Sequence, residues 1–248
     1  MAFYYTEVSK TYDMYRSFRD SQIDSLIEFA GIVESDRVLD IGCGTGNASA
    51  RIAEKVHVDI LGVDRSIQML EIAVSKSLEV LCVDVDNSRL PFRDRSFDIV
   101  LGTYMIHYIN NPDFLFSECF RVLRNGTLIF LTSSHEQIDN ENPVENEFFP
   151  SLAKIDKERF PDIPRIYELF ASAGFGNVEH KEVRIEDDPL DLNFLQKVKA
   201  KYISTYHLIP QREFESGVKK LERYIRDLNE PQFREWQGTL IRGSKVIG

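Results

Sequence analysis

At 248 residues, 43% hydrophobic and 28% charged, the chain is long enough for a substantial core and ordinary in composition for a globular protein. Its formal net charge of -10 sets it against phosphate backbones and disfavours nucleic acid as a partner. No apolar run approaches the roughly 18–20 residues that span a bilayer, and the opening MAFYYTEVSK lacks the basic-then-apolar pattern of a signal peptide. Neither a membrane partner nor secretion is expected. Cys43, Cys82 and Cys119 are odd in number and form no CxxC pair, which fits reduced thiols in the cytoplasm.

YYTEVSKTYDMYRSF gathers Tyr4, Tyr5, Tyr12, Tyr15 and Arg16 ahead of the first core strand. SQIDSLIEFAG has helical spacing, with Ile23, Leu26, Ile27 and Ala30 inward. Arg37–Ile41 reads as a strand, and Gly42, Gly44 and Gly46 follow it at alternate positions. Helical spacing resumes over Ala48–Val56. Val58–Asp64 is a second strand, and Ser66 is a helix N-cap before an apolar helical run. Leu78–Asp84 and Ser96–Tyr104 are the third and fourth strands. PDFLFSECFRVLR carries a helical stripe of Phe114, Leu115, Cys119, Val122 and Leu123. Gly126–Ser133 is a fifth strand. Apolar strands alternating with amphipathic helices imply a mostly parallel sheet covered on both faces. Further on, Phe194, Val198, Tyr202 and Tyr206 repeat at i+4 as one stripe. Phe214, Val218, Leu221, Ile225 and Leu228 make a second, with Pro210 between them. Gln196–Arg226 holds an excess of cations, which reads either as a solvated face or as a surface for an anionic substrate.

In such sheets ligands bind beyond the carboxyl ends of the strands, where strand order reverses. Glycines there let the chain turn tightly and let a ligand touch the backbone. The dinucleotide fingerprint G-x-G-x-x-G does not match: position 47 is Asn, and the pattern is G-x-G-x-G. A phosphate loop also fails, because no Gly-Lys-Ser/Thr follows. Asp64, at the end of the second strand, suits hydrogen bonds from ribose hydroxyls. Asp84, at the end of the third, can meet an adenine amino group, although Asp86 two residues on competes for attention as a loop acid. Asp40 can orient the loop or an ammonium group. Three carboxylates would repel pyrophosphate. They suit a ligand with ribose, adenine and positive charge, which S-adenosylmethionine satisfies.

These segments resemble the class I S-adenosylmethionine-dependent methyltransferases, in the small-molecule branch. VLDIGCGTG is similar to that family's first motif and GVDRSIQMLEIA to its ribose-binding motif. VDVDNSRLPFRDRSFDIVLGTYMIHYI is similar to its adenine segment and fourth strand, and FRVLRNGTLIF to the start of its fifth. The resemblance covers about residues 36–134. It implies a Rossmann-like seven-stranded sheet, mostly parallel, with helices on both faces and an antiparallel last strand. Strand six would be Val178–Ile185 and strand seven Gly238–Ile247. It implies a single domain over residues 1–248, with an N-terminal cap over 1–30 and a helical lid inserted at about 188–236.

By the same resemblance Asp64 holds the ribose, Asp84 the adenine amino group, and Gly42, Cys43, Gly44 and Gly46 the methionine portion. Tyr12 and Arg16 reach its carboxylate, and Asp40, Arg65, Met69, Val85 and Thr103 complete the cofactor set. The usual Pro-Gly-Gly is replaced here by Asn125, Gly126 and Thr127, which bears on local stability. His107 and His135 are candidate catalytic bases, with packing or capping as the alternative; Glu136 and His207 are weighed in the same way. Cys43 reads as a nucleophile or as a small residue in a glycine turn. No cluster has metal-ligand spacing, so no metal is expected. The implied function is methyl transfer to a small-molecule acceptor at O, N or C. An RNA or protein methyltransferase and a non-catalytic S-adenosylmethionine-binding subunit are the alternatives.

Overall fold

A computed structural model describes residue 9, residues 12–140 and residues 143–245, without the side chains of 185–188, 235 and 236. Tyr4, Tyr5 and the end of the expected seventh strand at Ile247 lie outside the described residues. The chain divides into two compact units. One holds the chain up to Thr132, Ile163–Val183 and the part from Thr239 on; the other holds Ser133–Asp162 and Arg184–Gly238.

The first unit follows the alternation of the sequence. In order come α1 (Asp20–Ala30), β1 (Arg37–Ile41), α2 (Asn47–Val56), β2 (Asp59–Asp64), α3 (Ile67–Ser75), β3 (Glu79–Cys82) and β4 (Phe97–Thr103). Then come α4 (Pro112–Val122) and β5 (Leu123–Thr132). After the first excursion the chain returns as α8 (Ile163–Ala173) and β6 (Gly176–Pro189), and after the second as β7 (Phe233–Ser244). The seven strands form one sheet in the order β3-β2-β1-β4-β5-β7-β6. The contacts of β1 with β2 and β4, of β2 with β3 and of β4 with β5 are parallel. β7 runs antiparallel to β5, from Thr127 opposite Ser244 to Thr132 opposite Thr239. The expected topology is therefore the observed one.

Alternate residues of the central strands feed two cores. Leu39, Ile41, Val100, Leu128 and Phe130 pack with Leu115, Phe116, Cys119 and Val122 of α4 and with Ile166, Leu169 and Phe170 of α8. Their neighbours Val38, Ile99, Leu101, Ile129 and Leu131 pack with Ile23, Leu26 and Ala30 of α1 and Ala48 and Ile52 of α2. Strand side chains point to opposite faces in turn, so continuous apolar strands are what a sheet covered on both faces demands. On α4 the buried stripe includes Phe116, fully buried, and leaves Phe114 only half-buried. Ser66 caps α3 as expected, its hydroxyl accepting from Met69 N at 3.4 Å.

The Asn125-Gly126-Thr127 turn keeps the central glycine of Pro-Gly-Gly, and the packing there requires it. β5 begins at once after α4, and Gly126 lies flat against β4. A Cβ there would stand 1.8 Å from the Asp98 carbonyl oxygen.

The second unit holds α5 (His135–Asn140), α6 (Pro143–Phe148), α7 (Ser151–Arg159), α9 (Leu192–Lys199) and α10 (Gln211–Asp227). Phe194, Val198, Tyr202 and Tyr206 are all buried, yet they are not one helix. α9 stops because Lys201 is left-handed, at φ 51°. Tyr202 N then donates to Lys197 O at 3.1 Å and Lys201 N to Val198 O at 2.8 Å, which closes the helix end. Tyr206 sits in a separate short turn, Ser204–His207. Its hydroxyl donates to Glu145, which also pairs with Arg234 at 2.8 Å; Arg234 donates to Tyr202 at 2.5 Å. The tyrosine stripe thus lies among the interior contacts of its own unit.

Replacing Gly126 with Ala forces a side chain onto backbone that cannot rotate away. Gly126→Ala is expected to destabilise the protein by about 2–4 kcal/mol, measured by urea unfolding; a change below about 0.5 kcal/mol would show that β4 and β5 separate more readily than this packing implies.

Candidate functional site

The strand order reverses between β1 and β4, and the chain turns from β1 into α2 at that point. Gly42, Gly44 and Gly46 have φ values of 68°, 56° and 72°, the left-handed region that a Cβ disfavours. The turn is fastened to β2: Gly42 N and Cys43 N both donate to Val63 O, at 2.7 and 3.1 Å. At Gly44 an added Cβ would meet nothing within 4 Å, so the missing side chain leaves open space.

Asp64 ends β2 beside this loop. One carboxylate oxygen accepts from Gly44 N at 2.9 Å and the other from Ser66 N at 2.8 Å. Each oxygen therefore keeps a lone pair for a ligand. Burial raises the Asp64 pKa above the ordinary carboxylate range, against the lowering effect of those two N–H bonds. Asp84 accepts from Asp86 N at 3.1 Å and from Asn87 Nδ2 at 2.9 Å. Asp86 is instead a buried clamp: it accepts from Asn110 N and Asn111 N, both at 2.8 Å, and from the Asn110 side chain. The two neighbouring acids thus have different work.

Tyr12, Gly42, Gly44, Asp64, Arg65, Met69, Asp84, Val85 and Thr103 line one cavity of about 650 Å³, counted with its open mouth. Arg16 stands behind Tyr12, donating to its hydroxyl at 3.1 Å. Gly46 turns away from the cavity, towards Leu78 and Ala73. Asp40 lies behind the loop, 1% exposed, accepting from Ser49 Oγ at 2.5 Å. Cys43 is buried as well. Burial first, then the charges of Asp40 and Asp64, push its thiol pKa far up, the opposite of what a nucleophile needs.

The histidine candidates are not part of this lining. His107 lies half-buried in the turn Ile106–Tyr108 with its ring 4.1 Å from that of Tyr108. His135 in the second unit has Nε2 2.8 Å from Phe160 O, and His207 has Nε2 3.2 Å from Lys201 O. Asp86, weighed above only as a loop acid, also lines the cavity, as do Val83, Tyr104, Met105, Tyr108 and Ile109, which the sequence did not single out. Their signal was positional: most follow β4 directly, at the carboxyl edge where ligands gather. Tyr104 is left-handed at φ 50°, a costly conformation for a tyrosine, and stacks on Phe18 with ring centroids 6.4 Å apart. Among the described residues no group of three or more His, Cys, Asp or Glu could hold a metal ion.

A family model described as "Methyltransferase domain" matches residues 38–126. The chain is 31% identical over 172 residues to a demethylmenaquinone methyltransferase of Lactococcus lactis, covering 58% of this chain and 68% of that protein. The chain belongs to the S-adenosylmethionine-dependent methyltransferase family. A second methyltransferase, the malonyl-[acyl-carrier protein] O-methyltransferase of Marinomonas sp., is 31% identical over 176 residues; the chain spans 64% of its length. A putative methyltransferase from an antibiotic biosynthesis pathway of Anabaena variabilis shares the methyltransferase fold. It has a TM-score of 0.75 at 22% identity, covering 94% of this chain and 99% of that one.

Asp40 gives the protein a pH signature. Burial raises its pKa to about 7, with the Asp64 charge adding and the Ser49 bond opposing. Unfolded, it titrates near 3.9. Between these values the folded state binds the extra proton, so stability falls as pH rises from about 4 to about 7 and is flat beyond. Asp40→Asn is expected to remove this slope. Relative to the variant, the parent should lose about 2 kcal/mol between pH 5 and pH 8 in denaturant unfolding; parallel pH profiles would refute the assignment.

Proposed function

We propose that the chain transfers a methyl group from S-adenosylmethionine to a small-molecule acceptor, at O, N or C. The observation that carries this reading is the Asp64 carboxylate. It is held by Gly44 N–H and Ser66 N–H at the mouth of a glycine turn, and both oxygens retain acceptor capacity. Such a group suits the paired hydroxyls of a ribose. In the same reading Asp84 accepts from the adenine amino group, and Met69, Val83 and Val85 supply the apolar walls beside it. The bare backbone at Gly44 cradles the methionine portion. Tyr12, whose hydroxyl accepts from Arg16, donates its own proton to the carboxylate, with the guanidinium adding positive charge. The acids Asp64 and Asp84 on the lining disfavour the pyrophosphate of a dinucleotide and favour a cationic ligand.

When bound, the cofactor supplies a methyl carbon made electrophilic by sulfonium. The protein's part is to align the acceptor with that carbon and to keep water out. Tyr104, Met105, Tyr108 and Ile109 give the cavity an aromatic and apolar wall suited to both. Among the described residues no histidine lines the cavity. An acceptor that is already nucleophilic, or that loses its proton after transfer, matches that wall best. By their names, the relatives above act on a malonyl-acyl carrier protein and on demethylmenaquinone, acceptors of different chemistry. A cofactor half built on the sheet and a separate acceptor half accommodate both, and the insertion at about 188–236 is assigned to acceptor choice. The reduced state of Cys43, Cys82 and Cys119 fits a cytoplasmic setting.

Calorimetric titration tests the reading. The protein should bind S-adenosylmethionine and S-adenosylhomocysteine. Asp64→Ala should weaken both by about 2–4 kcal/mol through loss of two charge-assisted hydrogen bonds, with unfolding curves confirming a folded variant. Unchanged affinity would remove the ribose assignment. Displacement by NAD at comparable concentration would overturn the choice of cofactor. Binding without turnover over a broad acceptor panel would favour a non-catalytic subunit.

A further inference from the structure

Tyr12 reaches the cavity lining from ahead of the first strand. Tyr12 lies in a helical turn over residues 12–15, and the bonds that hold this strap are specific. Asp13 uses both carboxylate oxygens. One accepts from Thr45 Oγ, between Gly44 and Gly46, at 2.5 Å. The other pairs with Lys76 Nζ at 2.6 Å. Lys76 Nζ also donates to Asn47 Oδ1 at 2.6 Å, and Asn47 Nδ2 donates to Arg16 O at 2.9 Å. Arg16 closes the circuit by donating to the Tyr12 hydroxyl, its guanidinium 5.3 Å from the centre of that ring. Both ends of the strap, at 13 and at 16, are thus tied to the glycine turn, and Lys76 holds the two ties together.

The circuit explains Asn47. A dinucleotide loop has glycine at this position, where the helix must pack closely. Here the side chain is the bridge between Lys76 and the strap. Thr45 is buried, but the Asp13 and Lys76 side chains keep 35% and 24% of their exposure. Water therefore competes for the Asp13–Lys76 pair while the anchor on the loop stays fixed. That is the arrangement of a fastening that opens and closes.

We propose that Asp13 and Lys76 form a latch that holds Tyr12 across the cavity and sets how long a bound cofactor stays. This rests on the cofactor reading above. Asp13, Lys76 and Asn47 are positioning residues that act through Tyr12 and Arg16. An open latch gives the cofactor its way in and out, and a closed one covers it.

The test is displacement of bound S-adenosylhomocysteine by stopped flow, in the full chain. Asp13→Asn and Lys76→Gln should each speed dissociation about tenfold, the factor that roughly 1.4 kcal/mol of lost closure represents. The double variant should be no faster than about twice either single one, since both break the same fastening. Lys76→Arg should stay within about twofold of the parent, because the charge remains. The unsubstituted protein offers a second reading that does not depend on a variant folding: rising salt should speed its dissociation by weakening the half-exposed pair. Dissociation rates within about twofold of the parent in both single variants, or a salt-independent rate in the parent, would overturn the latch while leaving the cofactor site intact. Failure of the unsubstituted protein to bind the ligand at all would overturn the cofactor reading and the latch with it.

Discussion

The site depends on one crossing of the backbone. Strand β1 must leave the sheet where its neighbour β2 ends, and it does so through a turn with three left-handed glycines, in which Gly42 N and Cys43 N donate to Val63 O and Gly44 N to Asp64. The same carboxylate that anchors the turn faces the cavity, so the geometry of the loop and the chemistry of the site cannot vary separately. Asp40, two residues before Gly42, adds a second buried carboxyl; burial chiefly, with repulsion from Asp64 adding, favours its protonated form, which relieves that repulsion. A cationic ligand would relieve that repulsion as well.

Much of the first unit was legible because its signals are local. Arg37–Ile41 matches the strand found, and the remaining parallel strands differ by a few residues at their ends. Apolar runs bounded by Gly, Asp and Ser leave little freedom of assignment when each strand is buried on both faces. The glycine turn and Asp64 were readable for the same reason, since a left-handed turn after a strand has few possible occupants. What the strand pattern could not distinguish was the different work of Asp84 and Asp86. That difference depends on Asn110 and Asn111, more than twenty residues away.

The second unit was less legible, and for physical reasons. α5 and α6 are six residues each and rich in Glu, Asn and Gln, so no apolar period has room to develop. α8, by contrast, carries Ile166, Leu169 and Phe170 at helical spacing before a left-handed Gly174, a signal that was present but unread. The tyrosine stripe misled in a different way. Its i+4 spacing is real and all four residues are buried, but Lys201 ends the helix without a glycine to announce it. Nor does composition reveal that Tyr206 is committed to Glu145, sixty-one positions earlier.

The pairing of Thr132 with Thr239 has a consequence for how such a chain can change over time. Thr132 is where the first excursion leaves the sheet, and Thr239 is where the second one rejoins it. These two attachment points are fixed as ladder partners whatever the intervening segments do. Lengthening either excursion adds closure entropy only as the logarithm of its length. Insertions and deletions within the two excursions, Ser133–Asp162 and Arg184–Gly238, are thus cheap for the sheet to tolerate. The glycine turn lies outside both excursions, so a change in their length leaves its bonds to β2 untouched.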